Sequence, residues 1–514
     1  MIVIILLAIV VLYLGSFFVP NLKEKTKSTR YGSAYFREDS ILSEKNRGFT
    51  IDGVRSLSVK KSYRHGFLVA PTGSGKTTQI LLPSMINHAL NGNANVIIVD
   101  PKAELTPLLT PVYEKNGYKV LCLDFENPLK SLGYNPLNKQ QCKTEDDVKQ
   151  LAHDLFSIST SNARNSEAIW SVGAKKILSV LINCILNLED TKLHTLDTLI
   201  QVLGFLEDGS PKGEYFVKTN SPNERVWQQF LSFKNSELKI KLGFLASAFT
   251  IIDAFDTEKI RHLTSHNTFP FEELRTEKLA IFLKLQDSSK YSSFLSLFFT
   301  QLFRFLLNTP LCAGDRDFFI YLEELPAIKR INLLHNSVAL LRSKKVAIMS
   351  VTQNLSALDR IYGKENTNTL LSNSASIIVL PGVREERTLA YIEKIMGHKT
   401  VEKYVSGRPM VSRRSLLDQS EIRTLQNSGI FIYAEHPPEK LKNIVPIYNN
   451  PSLMKKAGLI SSVSEVLQYK EPYTPITDAT LPPYEPVTID MILDPEKHEA
   501  EIELEKILAP LKRD

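Results

Sequence analysis

His65-Gly-Phe-Leu-Val-Ala-Pro-Thr-Gly-Ser-Gly-Lys-Thr-Thr78 is the stretch on which the reading of this chain turns. Four apolar residues, Phe67 to Ala70, predict a short buried strand that empties into Pro71-Thr72-Gly73-Ser74-Gly75-Lys76-Thr77-Thr78. Gly73 and Gly75 allow backbone turns that a side chain would block, so successive N–H groups can face a polyphosphate. The segment from Thr77 to Ala89 reads as a helix, whose N-terminal N–H groups and dipole add to the anion site. Lys76 is placed to reach the β- and γ-phosphates, and the Thr77 hydroxyl to take a position on Mg²⁺. The expectation is an ATP and Mg²⁺ site. One departure stands out, since Ala70 occupies the place of the usual first glycine of this loop.

The rest of the composition is that of an ordinary globular protein. The 514 residues carry 23% charged side chains and a formal net charge of +6, which permits an anionic partner without requiring one. The four cysteines, Cys122, Cys142, Cys184 and Cys312, are scattered without a C-x-x-C pair. That pattern argues against structural zinc and a disulfide framework, and for a reducing compartment.

Met1 to Val19 is apolar almost throughout, close to the ~20 residues a helix needs to cross a bilayer. Lys23, Lys25, Lys27 and Arg30 follow it, no basic residue precedes it, and no small-residue cleavage site ends it. These features predict a single membrane anchor with Met1 on the far side and the body in the cytoplasm.

Behind the phosphate loop, strands are predicted at Asn95–Asp100, Tyr118–Asp124, Lys278–Leu285, Asp317–Leu322, Val346–Gln353, Ser376–Leu380 and, last in the sheet, Gly429–Glu435. Between Glu145 and His266 only helical spacing is found, as in Ile177, Leu178, Leu181, Ile182, Ile185 and Leu188. The fold class is therefore α/β: a RecA-like P-loop NTPase domain with a parallel sheet, an inserted all-α domain and one N-terminal transmembrane helix. The expected divisions are 1–20 anchor, 21–64 juxtamembrane segment, 65–140 and 271–450 motor domain, 141–270 all-α domain and 451–514 tail. The tail closes on an acidic segment from Asp494 that has the spacing of a short helix.

Asp317-Phe-Phe-Ile-Tyr-Leu-Glu-Glu324 has the shape of a Walker B strand. Its first acid, Glu323, would hold Mg²⁺ through water, and its second, Glu324, would polarise the attacking water. Glutamate at the first position is unusual, and both acids could instead cap a helix starting near Ala327. Gln353, ending the next strand, is placed to sense the γ-phosphate.

Taken together these blocks resemble the type IV secretion coupling proteins, the VirD4/TraG group. The matching residues are Tyr31-Gly-Ser-Ala34, Pro71 to Thr77, Asp100-Pro-Lys-Ala-Glu-Leu105, Tyr134-Asn-Pro-Leu137, Trp170, Glu323-Glu-Leu-Pro326, Gln353 and Arg414 to Ile422. The resemblance implies a homo-hexameric ring at the bacterial inner membrane, single-pass with a cytoplasmic body, and ATP sites between subunits. It implies that the neighbouring subunit completes each site with an arginine, here Arg342, with Arg384 and Arg387 as alternatives. It further implies a motor that passes a relaxase bound to single-stranded DNA, or an effector protein, to inner-membrane components of a type IV channel. A double-stranded DNA translocase and a nucleotide-binding scaffold with little turnover are the competing readings. The family usually has two membrane helices, whereas this sequence offers one.

Overall fold

A computed structural model of the chain describes residues 30–459 apart from 140, 160–167, 286–287, 329, 406–407 and 427. The expected anchor at 1–20 and the acidic segment from Asp494 lie outside the described residues. Among the described residues no helix is long and apolar enough to cross a membrane.

Strands β1 (Gly66–Val69), β2 (Ala94–Asp100), β3 (Lys119–Asp124), β4 (Leu279–Lys284), β5 (Asp317–Leu322), β6 (Val346–Thr352) and β7 (Ser376–Val379) come first; β8 (His398–Val405), β9 (Arg408–Ser415), β10 (Gly429–Tyr433) and β11 (Glu439–Leu441) follow. Nine of them form one sheet in the order β11-β10-β7-β1-β6-β5-β2-β4-β3. All neighbours from β7 to β3 run parallel. The central strands are apolar runs because both of their faces are covered. Along β2, Ile97 and Val99 enter one core and Val96 and Ile98 the other.

Two features differ from the sequence-based expectation of an all-parallel sheet ending at Gly429–Glu435. β10 pairs antiparallel with β7, and β11 continues the sheet beyond it, antiparallel again. A three-residue strand carries too little periodicity to be read from sequence. The second feature is the β8–β9 hairpin, a separate two-stranded sheet whose first strand bridges to Ser33.

Between β3 and β4 every described helix or strand from Glu145 to Ser265 is helical. Helices Ala168–Leu186 and Leu238–Ile252 approach closely at two glycines: a Cβ on Gly173 would lie 2.1 Å from the Phe244 ring, and one on Gly243 2.2 Å from Trp170. Tyr134 lies between β3 and the helical segment, its N–H donating to the Leu263 carbonyl at 2.8 Å. It is fully buried, its hydroxyl bonds the Gln301 side chain, and Phe269, Phe271, Phe294 and Phe298 surround its ring. Asn135 donates to the His194 carbonyl at 2.6 Å.

The segment before the phosphate loop is part of the body. Phe49, Ile51 and Leu57 are fully buried, and Phe49 meets Phe319 of β5 edge-on at 5.2 Å between centroids.

Candidate nucleotide site

β1 is short because Ala70 leaves the sheet directly into the loop, its N–H still donating to the Thr352 carbonyl at 2.9 Å. Ala70 is fully buried and is not among the positive-φ residues, so this place does not require glycine. Gly73 and Gly75 do turn left-handed, at φ 78° and 82°. A Cβ on Gly75 would also strike the Gln79 side chain at 2.6 Å, whereas one on Gly73 would meet nothing. The following turn is wider than the helix expected from Thr77: Thr77–Leu81 is a π-turn, and the α-helix proper runs Leu82–Asn91. Such a turn is a recurrent feature of functional sites.

β1, β6 and β5 lie side by side, so their carboxyl ends deliver the loop, Gln353 and the two glutamates to one place. The Lys76 ammonium donates to Glu324 Oε2 at 3.2 Å, and Gln353 Nε2 reaches the same oxygen at 3.3 Å. Thr72 Oγ1 donates to Gln353 Oε1 at 3.2 Å. Thr77 Oγ1 donates to Glu323 Oε1 at 2.9 Å. The helix-cap alternative for the acids is thereby excluded for Glu324, which precedes the turn Leu325–Ala327 but makes no side-chain cap hydrogen bond.

Glu323 is 6% exposed, and burial pushes its carboxyl up to about 6, with the Thr77 hydroxyl and the Lys76 charge holding it down and Asp100 adding to the rise. Asp100, at the end of β2, is itself raised by burial, against which Thr106, Leu105 and Glu104 hydrogen-bond it. The arrangement fits a polyphosphate and Mg²⁺. The Thr77 hydroxyl and Glu323 carboxylate are adjacent hard oxygens of the kind Mg²⁺ prefers, and the Ser74 hydroxyl is buried at the loop without a hydrogen-bond partner.

The geometry separates the three candidate arginines. Arg342 sits in the turn Arg342–Lys344 that leads into β6, at the opposite edge of the sheet from the phosphate loop. The seven residues of β6 separate the two edges by about 20 Å. Arg387 is engaged within its own subunit, with Asp359 at 3.1 Å and Asn368 at 2.7 Å. Arg384, by contrast, lines the same cleft of about 1130 Å³ as Pro71 to Gly75 and Thr78. Arg423 and Tyr448 line it too, two residues that no local motif announces.

The profile of the family described as "Type IV secretory system Conjugative DNA transfer" matches residues 24–466. The chain belongs to that family. The conjugal transfer protein TraG of Rhizobium radiobacter is 22% identical over 395 residues, covering 73% of this chain and 60% of the relative. Protein VirD4 of Agrobacterium fabrum (strain C58) is 22% identical over 407 residues, covering 74% and 58%. The chain thus spans about three fifths of the length of these relatives. Among solved structures, the unbound bacterial conjugative coupling protein TrwBdeltaN70 superposes with a TM-score of 0.62 at 17% identity, covering 79% of this chain and 90% of that one. TrwB in complex with ADP and Mg²⁺ gives 0.61 at 17% identity, covering 81% and 96%. At this identity the likeness establishes the fold, an α/β architecture with a mainly parallel sheet.

Proposed function

We propose that this family member is an ATP-hydrolysing motor, a coupling protein that feeds a relaxase–single-stranded DNA complex or an effector protein into a type IV secretion channel. The observation that carries the reading is the convergence of Lys76, Thr77, Glu323, Glu324 and Gln353 at the carboxyl ends of three adjacent strands, with Arg342 a strand's length away. Bound Mg²⁺ would supply charge neutralisation between phosphates. Pro71 to Thr78 bind the phosphates, Thr77 and Glu323 hold the metal shell, and Lys76 balances charge on the phosphoryl group. Glu324 accepts a proton from, or orients, the attacking water, and Gln353 reads the presence of the terminal phosphate. Arg342 serves the site of the neighbouring subunit in a homo-hexamer, where it stabilises charge in the transition state. A membrane anchor at 1–20 would hold the ring at the bacterial inner membrane, with the body, its all-α domain at 141–270 and the 451–514 tail in the cytoplasm.

The test is phosphate release by the soluble body from about Asn21, across protein concentrations, with and without single-stranded DNA. Turnover should rise with concentration as the ring assembles, and Glu324→Gln should lose at least about a hundred-fold while still binding nucleotide. Lys76→Ala and Arg342→Ala should each be inactive alone and recover activity when mixed, because each supplies the half-site that the other lacks. Bound nucleotide with no phosphate release at any concentration would instead favour the scaffold.

A further inference from the structure

His65 is the residue immediately before β1, and nothing in the nucleotide site touches it. It is 2% exposed and adopts a left-handed backbone, φ 61°. Its ring bridges two other elements. Nε2 lies 2.5 Å from the carbonyl of Val338, and Nδ1 accepts the N–H of Ile348 at 3.2 Å. A carbonyl only accepts and an amide N–H only donates, so the partners place the proton on Nε2 of a neutral ring. Burial, with Arg342 nearby, holds this histidine down to about 4, so the tautomer persists across the physiological range.

Each partner leads to a functional position. Val338 lies one helical turn before Arg342 on the helix Leu334–Leu341. Ile348 lies in β6, which ends beside Gln353. His65 itself opens the strand that empties into the phosphate loop. Arg342 and His65 line one small cavity of about 190 Å³ together with Arg64 and Val338. A single imidazole therefore ties the turn that presents Arg342 to the two strands that hold the subunit's own nucleotide machinery.

We propose that His65 is a positioning residue for Arg342: through the Val338 carbonyl it holds the arginine-bearing turn in register with β1 and β6, and so sets the aim of the arginine that each subunit offers its neighbour. The inference rests on the reading of Arg342 as acting in trans.

His65→Asn is the informative variant. Asparagine tolerates the left-handed backbone, and its amide oxygen reaches the Nδ1 position but not Val338. Assembled His65→Asn should lose roughly ten-fold in kcat, as expected for a catalytic group moved by a fraction of an ångström, with KM changed less than about two-fold. His65→Gln, whose amide nitrogen reaches towards the Nε2 position, should turn over faster than His65→Asn. The directional readout is mixing. His65→Asn should be rescued by Lys76→Ala, which supplies an intact arginine, and not by Arg342→Ala. Rescue by Arg342→Ala instead, or unchanged turnover in His65→Asn, would overturn the inference while leaving the trans arginine standing. Failure of the Lys76→Ala and Arg342→Ala mixture would remove the trans reading itself, and this inference with it.

Discussion

At Glu323, binding and stability pull in opposite directions. Its carboxyl titrates at about 6 in the folded chain against 4.5 for the free group, an interval worth roughly 2 kcal/mol. Because the folded value is raised, the group's stabilising contribution is complete below pH 4.5 and is lost as pH rises through about 6. Above that, the nucleotide-free protein holds a buried carboxylate. Glu323→Gln is therefore expected to raise the thermal midpoint of the nucleotide-free protein at pH 8 by the equivalent of up to about 2 kcal/mol, with the gap closing near pH 5, while Mg²⁺-dependent turnover falls. Thermal denaturation across pH measures the first effect and phosphate release the second. Arg384 and Arg423 have a simpler role to test. If their guanidinium groups meet the nucleotide from the open side of the cleft, each alanine variant should raise KM about five-fold, roughly 1 kcal/mol, with kcat retained. Mixed with Arg342→Ala, each should restore turnover as Lys76→Ala does, since each keeps an intact Arg342.

At the scale of elements, motif and packing separate cleanly. The strands were legible because a buried parallel strand is a continuous apolar run, and the acids that mark the sheet's carboxyl edge stand at the end of β2, Asp100, and just past β5, Glu323 and Glu324. The Tyr134 to Leu137 block and the Arg414 to Ile422 block are legible as family marks, yet their contacts are structural. Tyr134 anchors the helical segment, and Asp418 with Glu421 forms a capping box at Gln419–Arg423 while Glu421 also binds Arg414 at 2.7 Å. Helix spacing predicted the elements from Glu145 onward but not how they meet. Gly173 and Gly243 each make room for an aromatic ring of the other helix, so Gly173→Ala forces the Phe244 ring to move and should destabilise by about 1–3 kcal/mol. Denaturant unfolding would measure that loss, and nucleotide affinity should stay unchanged because the contact is remote from the phosphate loop.

Over the whole molecule, the function depends on pairings that span the chain. Thr72 and Gln353, 281 residues apart, share a hydrogen bond that no window of sequence contains. If the assembled ring carries single-stranded DNA by its backbone, affinity of the soluble body should fall by roughly ten-fold or more between 50 and 200 mM salt and depend little on sequence. A filter-binding or anisotropy titration decides this, and salt-independent binding would speak against a phosphate-tracking pore.

What the sequence determined by itself is the chemistry carried by neighbours: the glycines and Lys76 of the phosphate loop, the paired glutamates, the identity of the central strands and the membership of the family. Each depends on a few adjacent residues or on a simple hydrophobic period. Only the tertiary structure decided the rest. Strand order sets Lys76 and Gln353 on one carboxylate oxygen of Glu324. The sheet's polarity puts Arg342 at the far edge. A reversed β10 and an added β11 close one side, and His65 is buried between a helix and a strand. These outcomes arise from loop closure and side-chain packing between segments hundreds of residues apart, and no local pattern encodes such distances.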